Sequence, residues 1–155
     1  MSDQKRYLME EVAPLLQQLD PSTKPAFGLM TAQHMVEHIS GSLGFASKRS
    51  GEPENPPTEN QLKFQAYLAT GPVIKHRPSD KTSADLPPLK MDSMEAAVAL
   101  FQPAIDAFYA HYEAHPDFKP YAPFMGELDF ETIQNFIYEH TRYHLWQFGL
   151  LESYP

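Results

Sequence analysis

The sequence contains no cysteine, which rules out disulfides, thiolate metal ligands and cysteine nucleophiles. Any transition-metal site must therefore be built from His, Asp or Glu. Positive charge is also sparse: 12 Lys and Arg stand against 20 Asp and Glu, for a formal net charge of −8. No basic run occurs, which argues against a nucleic-acid or anionic-membrane surface, because binding phosphates requires clustered cations. No apolar run is long enough to span a bilayer. The opening residues Met1 to Arg6 pass straight into a charged helical pattern without an apolar signal-peptide core, so the cytoplasm is the expected location. A Gly-rich phosphate loop is missing too. Gly41-Ser42-Leu43-Gly44 is too short for one and lies within a helical pattern. No serine sits in a nucleophile-elbow context.

What is present suits a helical protein. The 155 residues are expected to form one domain over 1–155, with 10 Phe and 8 Tyr to fill its core. Apolar residues Leu8, Val12, Leu15, Leu16 and Leu19 keep helical spacing, with Ser2 or Asp3 as the cap and Pro14 predicting a kink. Thr31 is the expected N-cap of a second helix, Ala32 to about Ser47. Residues 51–57 read as a loop, and Thr58 with Gln61 forms a capping box for a short helix to about Ala69. A proline-rich stretch, 71–91, reads as a crossover that could also shape or cover a site. Asp92 and Glu95 suggest another capping box, opening a helix to about Ala114 that Pro103 interrupts. Asp129 should cap the last helix, Phe130 to about Phe148, with Gly149 at its end. No segment reads as a strand. These elements predict an all-α four-helix bundle with a short extra helix and a long Pro-rich crossover.

The chemistry is concentrated in the histidines. Six of the seven fall into pairs four apart: His34 and His38, His111 and His115, His140 and His144. Residues at that spacing share a helix face, so two imidazoles can converge on one ion and a third from a facing helix can complete the set. His140 and His144 continue the apolar stripe Phe130, Ile133, Ile137 and Phe148. Buried there, they need polar partners or a metal. His38 shares a face with Met35, Ser42 and Phe45 and can point inward. His34 is open as a fourth ligand, an outer-sphere group or an exposed side chain. His111 and His115 end a helix, where histidine interacts well with the dipole. His76, between Lys75 and Arg77, reads as solvated. Glu37, Glu139 and Asp129 are candidate acceptors or general bases. Arg142 and Tyr143 read as surface or packing residues.

The segment His140-Thr-Arg-Tyr-His144-Leu-Trp-Gln147 resembles the H-x-x-x-H-x-x-Q signature of the DinB/YfiT-like superfamily. The segment Thr31-Ala-Gln-His-Met-Val-Glu-His38 is similar to that superfamily's other motif, and the loop from Pro123 to Glu131 has its look. The resemblance implies an up-down-down-up bundle in which His38, His140 and His144 hold one divalent metal, typically nickel or zinc. Gln147 matches a family position and is a candidate support for the site. Tyr143 stands where the family often carries a histidine. Characterised members include thiol-dependent S-transferases, a maleylpyruvate isomerase and metal-dependent hydrolases, and relatives often pair.

The leading expectation is a metal-dependent enzyme that activates water or a low-molecular-weight thiol for use on a small-molecule substrate, as a hydrolase or thiol transferase. His34, Glu37 and Gln147 are the candidates for direct support of catalysis, His34 or a nearby carboxylate as proton acceptor. A homodimer is expected. The alternatives are a non-catalytic metal-binding or sensory bundle, which a fourth ligand such as His34 would favour, and a structural helical protein without metal.

Overall fold

The computed structural model describes residues 1–72 and 82–155, and they are predominantly helical. The first helical stretch comprises α1 (Asp3–Arg6), a π-helical turn (Tyr7–Glu11) and α2 (Val12–Gln17). Ser2 is its cap, accepting the Lys5 N–H at 3.2 Å. The wide turn immediately precedes Pro14, which has no N–H to offer the Glu10 carbonyl; a π turn is one way a helix absorbs that loss. α3 (Ala32–Phe45) is capped by Thr31 and α4 (Glu59–Thr70) by a full Thr58–Gln61 capping box, as the sequence predicts.

The next helix differs from expectation in two ways. Its cap is Ser93, which accepts the Ala96 N–H at 3.1 Å, and no Asp92–Glu95 box forms. The single helix expected to about Ala114 is two, α5 (Met94–Ala99) and α6 (Phe101–Ala114), joined at Leu100. Pro103 explains the break, because it cannot donate to the Ala99 carbonyl. A small hairpin was not expected either. β1 (Tyr121–Ala122) pairs antiparallel with β2 (Gly126–Glu127), and α4 holds it through Gln61 Nε2 to the Pro123 carbonyl and Gln65 Nε2 to the Met125 carbonyl.

Asp129 caps α7 (Phe130–Gln147), the longest helix among the described residues. Its end is a Schellman motif: Leu150 N–H bonds the Leu145 carbonyl and Gly149 N–H the Trp146 carbonyl, with Gly149 at φ +76°. α3 packs against α6, α7 and α5, while α4 and α1 pack on α7. Their shared interior holds Leu8, Leu16, Met35, Ile39, Phe101, Ile105, Ile133 and Ile137, each under 2% exposed. Burial of such a face, more than helix propensity, holds short helices in place. No helix of the described residues is long and apolar enough to cross a membrane.

Candidate metal centre

α7 carries its apolar stripe upward through Ile133 and Ile137 and then replaces it with His140 and His144, both buried. α3, lying alongside, presents His38 to the same point. The Nε2 atom of His140 is 2.9 Å from Nε2 of His38 and 3.1 Å from Nε2 of His144. A ligating atom from each of the three lies within 4.8 Å of the others. Nitrogens bound to one ion at about 2.0–2.1 Å stand about 2.9–3.4 Å apart, so the spacing suits a common ion.

The hydrogen bonds on the far sides of the rings assign the protons. His144 Nδ1 faces the Gln147 side-chain oxygen at 2.7 Å. Gln147 is oriented in turn, because its Nε2 donates to the Phe27 carbonyl at 2.8 Å. The carbonyl oxygen can only accept, so His144 carries its proton on Nδ1 and its lone pair on Nε2. Gly28 lets this approach happen: at φ +84°, a Cβ there would stand 3.0 Å from Gln147 Nε2. Ser42 donates its hydroxyl to the His38 carbonyl at 2.9 Å, leaving its oxygen to accept from His140 Nδ1 at the long distance of 3.4 Å. His144 thus aims a bare Nε2 lone pair at the meeting point, and His140 does the same with its proton on the Ser42 side.

Burial reinforces this. It lowers the His140 pKa well below the ordinary range, helped by the neighbouring His144 and His38, and takes His144 down to about 4 by burial and by His38, against the Gln147 hydrogen bond. His38 is the exposed member of the trio, but the protein packed around its ring lowers its pKa as well. All three are neutral at pH 7, the form that ligates a metal. Phe136, one turn before His140, stacks on that imidazole at 5.1 Å and 14°.

The other sequence candidates lie elsewhere or do something different. His34 stands outside the trio, and both its ring nitrogens have partners: Nδ1 meets Thr31 Oγ1 at 2.7 Å and Nε2 meets the Pro87 carbonyl at 2.9 Å. Glu37 is not placed as a general base. Its carboxylate accepts the backbone N–H groups of Lys90 and Met91 at 2.8 and 2.9 Å, and Gln33 at 3.2 Å. Burial pushes its pKa up, but those hydrogen bonds and His34 outweigh it, and the pKa ends below the ordinary value. With Gln33 Nε2 donating to the Met91 carbonyl at 2.8 Å, the residues of α3 beside His38 clasp segment 87–91 in place. The described end of the crossover lines a cavity beside His38.

Asp129 is occupied as the α7 cap, and Glu139 pairs with Arg142 at 3.5 Å. Arg142 also covers the Tyr138 and Tyr154 rings, and Tyr143 packs among Phe27, Trp146 and Tyr154, both in packing roles as expected. His111 and His115 stay at the end of α6, against one another, and His111 packs on Phe118. His76 lies outside the described residues. Sequence reasoning did not assign Ser42, Phe136 and Phe27 to the site. Ser42 and Phe136 lie four residues from His38 and His140, a helical spacing that could have found them; Phe27 carries no such signal.

A cavity of about 710 Å³ opens onto His38 and His140. Its walls come from α3, from residues 85–88 and Lys90, from Phe124 of the hairpin and from Phe136 of α7. Compared with protein-family models, with curated proteins and with solved structures, the chain matches none.

Proposed function

We propose that this protein is a metal-dependent enzyme of the DinB/YfiT-like kind, a single-domain four-helix bundle of up-down-down-up topology. In this reading His38, His140 and His144 hold one divalent ion, nickel or zinc. The observation that carries it is the meeting of Nε2 atoms at 2.9 and 3.1 Å while Gln147 and Ser42 engage the Nδ1 sides of His144 and His140. With the α7 protons on the Nδ1 sides, the Nε2 lone pairs of His140 and His144 repel at that distance, and a cation shared with His38 removes the repulsion and satisfies all three rings. Neutral imidazole is a good donor for zinc and nickel, and no thiolate competes.

When bound, a divalent ion at this position would lower the pKa of a water or small thiol beside it and polarise a substrate oxygen. The protein's own residues divide the remaining work. Gln147, anchored on Phe27, holds the His144 ring in the ligating tautomer. Phe136 shields one face of His140. His38 and His140 line the cavity, giving a small molecule access to the centre from one side. A closed, non-catalytic site would need a fourth protein ligand, and His34 is tied to Thr31 and Pro87 instead. Hydrolysis and thiol transfer both need only such an open position, and binding of a small thiol separates them. The chain as a cytoplasmic homodimer completes the reading.

The test is elemental analysis of protein purified without chelator or histidine tag, beside a His140→Ala/His144→Ala variant. About one nickel or zinc per chain, absent from the variant, is expected. No metal in either protein after reloading at neutral pH would overturn the reading.

A further inference from the structure

We propose that the cavity at His38 and His140 binds a small carboxylate with a flat or branched apolar body, its anionic head toward the histidines and Lys90 and its body against an aromatic wall. The proposal rests on the metal reading of the histidines.

Charge points to the head group. Three neutral imidazoles leave a divalent ion's charge uncompensated; Lys90 adds one positive charge to it, and the lining acids Glu37 and Asp85 offset two, which leaves one net positive charge. Glu37 holds the Lys90 and Met91 N–H groups, and Asp85 accepts the Thr82 N–H at 2.6 Å and its hydroxyl at 3.2 Å. Lys90 is the single lysine or arginine among the described lining residues, and no ion pair of the described residues includes it. One net positive charge matches a monoanion. A phosphate dianion prefers arginine forks or several donors, and no arginine lines this cavity among the described residues.

The walls point to the body. Phe45 and Phe124 stack at 5.6 Å and 14°, yet Phe124 remains 59% exposed, with Phe64 set edge-on to it at 5.8 Å. A phenylalanine this exposed beside a cavity offers a face on which a planar or branched group loses water on both sides. Leu86 and Pro87 add apolar surface to the lining. The hydrogen bonds from Gln33, His34 and Glu37 already hold that surface, so little ordering is left for the ligand to drive. The volume falls in the range of small-molecule sites.

The test is calorimetric titration of phenylacetate, phenylacetamide, acetate and phenyl phosphate into the full chain, with metal content measured on the same samples. Phenylacetate should bind at least tenfold tighter than the other three. Lys90→Ala should erase the preference over phenylacetamide, and Phe124→Ala the preference over acetate, with metal content unchanged in both. Both side chains are exposed, so neither truncation opens the core. Equal affinity for phenylacetate and either phenylacetamide or acetate would overturn the proposal, as would tighter binding of phenyl phosphate. A wild-type protein that holds no metal would sink the metal reading instead. The same titrations on that metal-free protein would then decide the cavity by its dependence on Lys90 and Phe124.

Discussion

His111 and His115 on α6 and His140 and His144 on α7 are both four residues apart and near the end of a long helix. On α7 the rings point into the interior, where α3 sets His38 opposite them and three nitrogens converge. On α6 the pair sits in the final turn, His115 forming the C-cap; the ring centroids are 5.1 Å apart and His111 packs edge-on against Phe118 at 4.4 Å. No third histidine or acid joins them among the described residues. The i,i+4 spacing therefore supplies a shared face and nothing more. A facing helix at the right height supplies the third imidazole, and a neighbour such as Gln147 supplies the orientation.

Metal content separates the two histidine pairs most directly. The His140→Ala/His144→Ala variant should fall from about one ion per chain to none, whereas His111→Ala/His115→Ala should keep the wild-type content by mass spectrometry of the eluted metal. Loss in both would mean the two pairs are equivalent.

Proton linkage gives the next largest contrast. The His144 pKa is about 4 in the folded chain against 6.5 as the ordinary value. As pH falls, the unfolded chain takes up the proton first, so stability is full above about 6.5 and is lost on the way down to about 4. The loss should be on the order of 3 kcal/mol in the metal-free protein. Thermal melts across that range should show it in wild type and in the α6 variant, and should be flatter in the α7 variant. A slope that survives the α7 substitutions would assign the linkage to other groups.

Orientation can be tested separately from ligation. Gln147→Leu keeps the bulk but removes the acceptor for His144 Nδ1–H, and should weaken metal binding about 10–100-fold in competition with a chelator. Unchanged affinity would show that the His144 tautomer needs no help.

His34 sharpens the comparison at the smallest scale. His34→Ala should leave metal content and affinity at wild-type values while costing about 1 kcal/mol in urea unfolding, through the lost hydrogen bond to Pro87. A drop in metal affinity would restore His34 as a ligand.

Much of the helical framework was legible in the chain. The stripes of α3, α6 and α7 and the caps Thr31, Thr58 and Asp129 are local signals, set by residues three or four apart. The less regular features depend on finer competition. Ser93 and Asp92 both offer a side-chain oxygen for the α5 cap, and the register of the following turn selects Ser93. Pro14 and Pro103 each remove one donor, yet one helix widens and the other breaks at Leu100. The hairpin at Tyr121–Ala122 and Gly126–Glu127 is too short for any period-two pattern, and its support comes from Gln61 and Gln65 far away in the chain.

By itself the sequence determined which side chains share a face: His140 with His144, His38 with Ser42, and the apolar rows beneath them. That follows from the 3.6-residue turn, which acts over a few residues and needs no partner. Tertiary structure decided which of those faces meet. His38 and His140 are 102 residues apart, and beyond their local partners Glu37 and His34 reach backbone groups 53 or more residues away, of a kind that any residue type carries. No side-chain pattern marks such a partner, so only the packing of α3 against α7 and of segment 87–91 on α3 separates a ligand from a clasp.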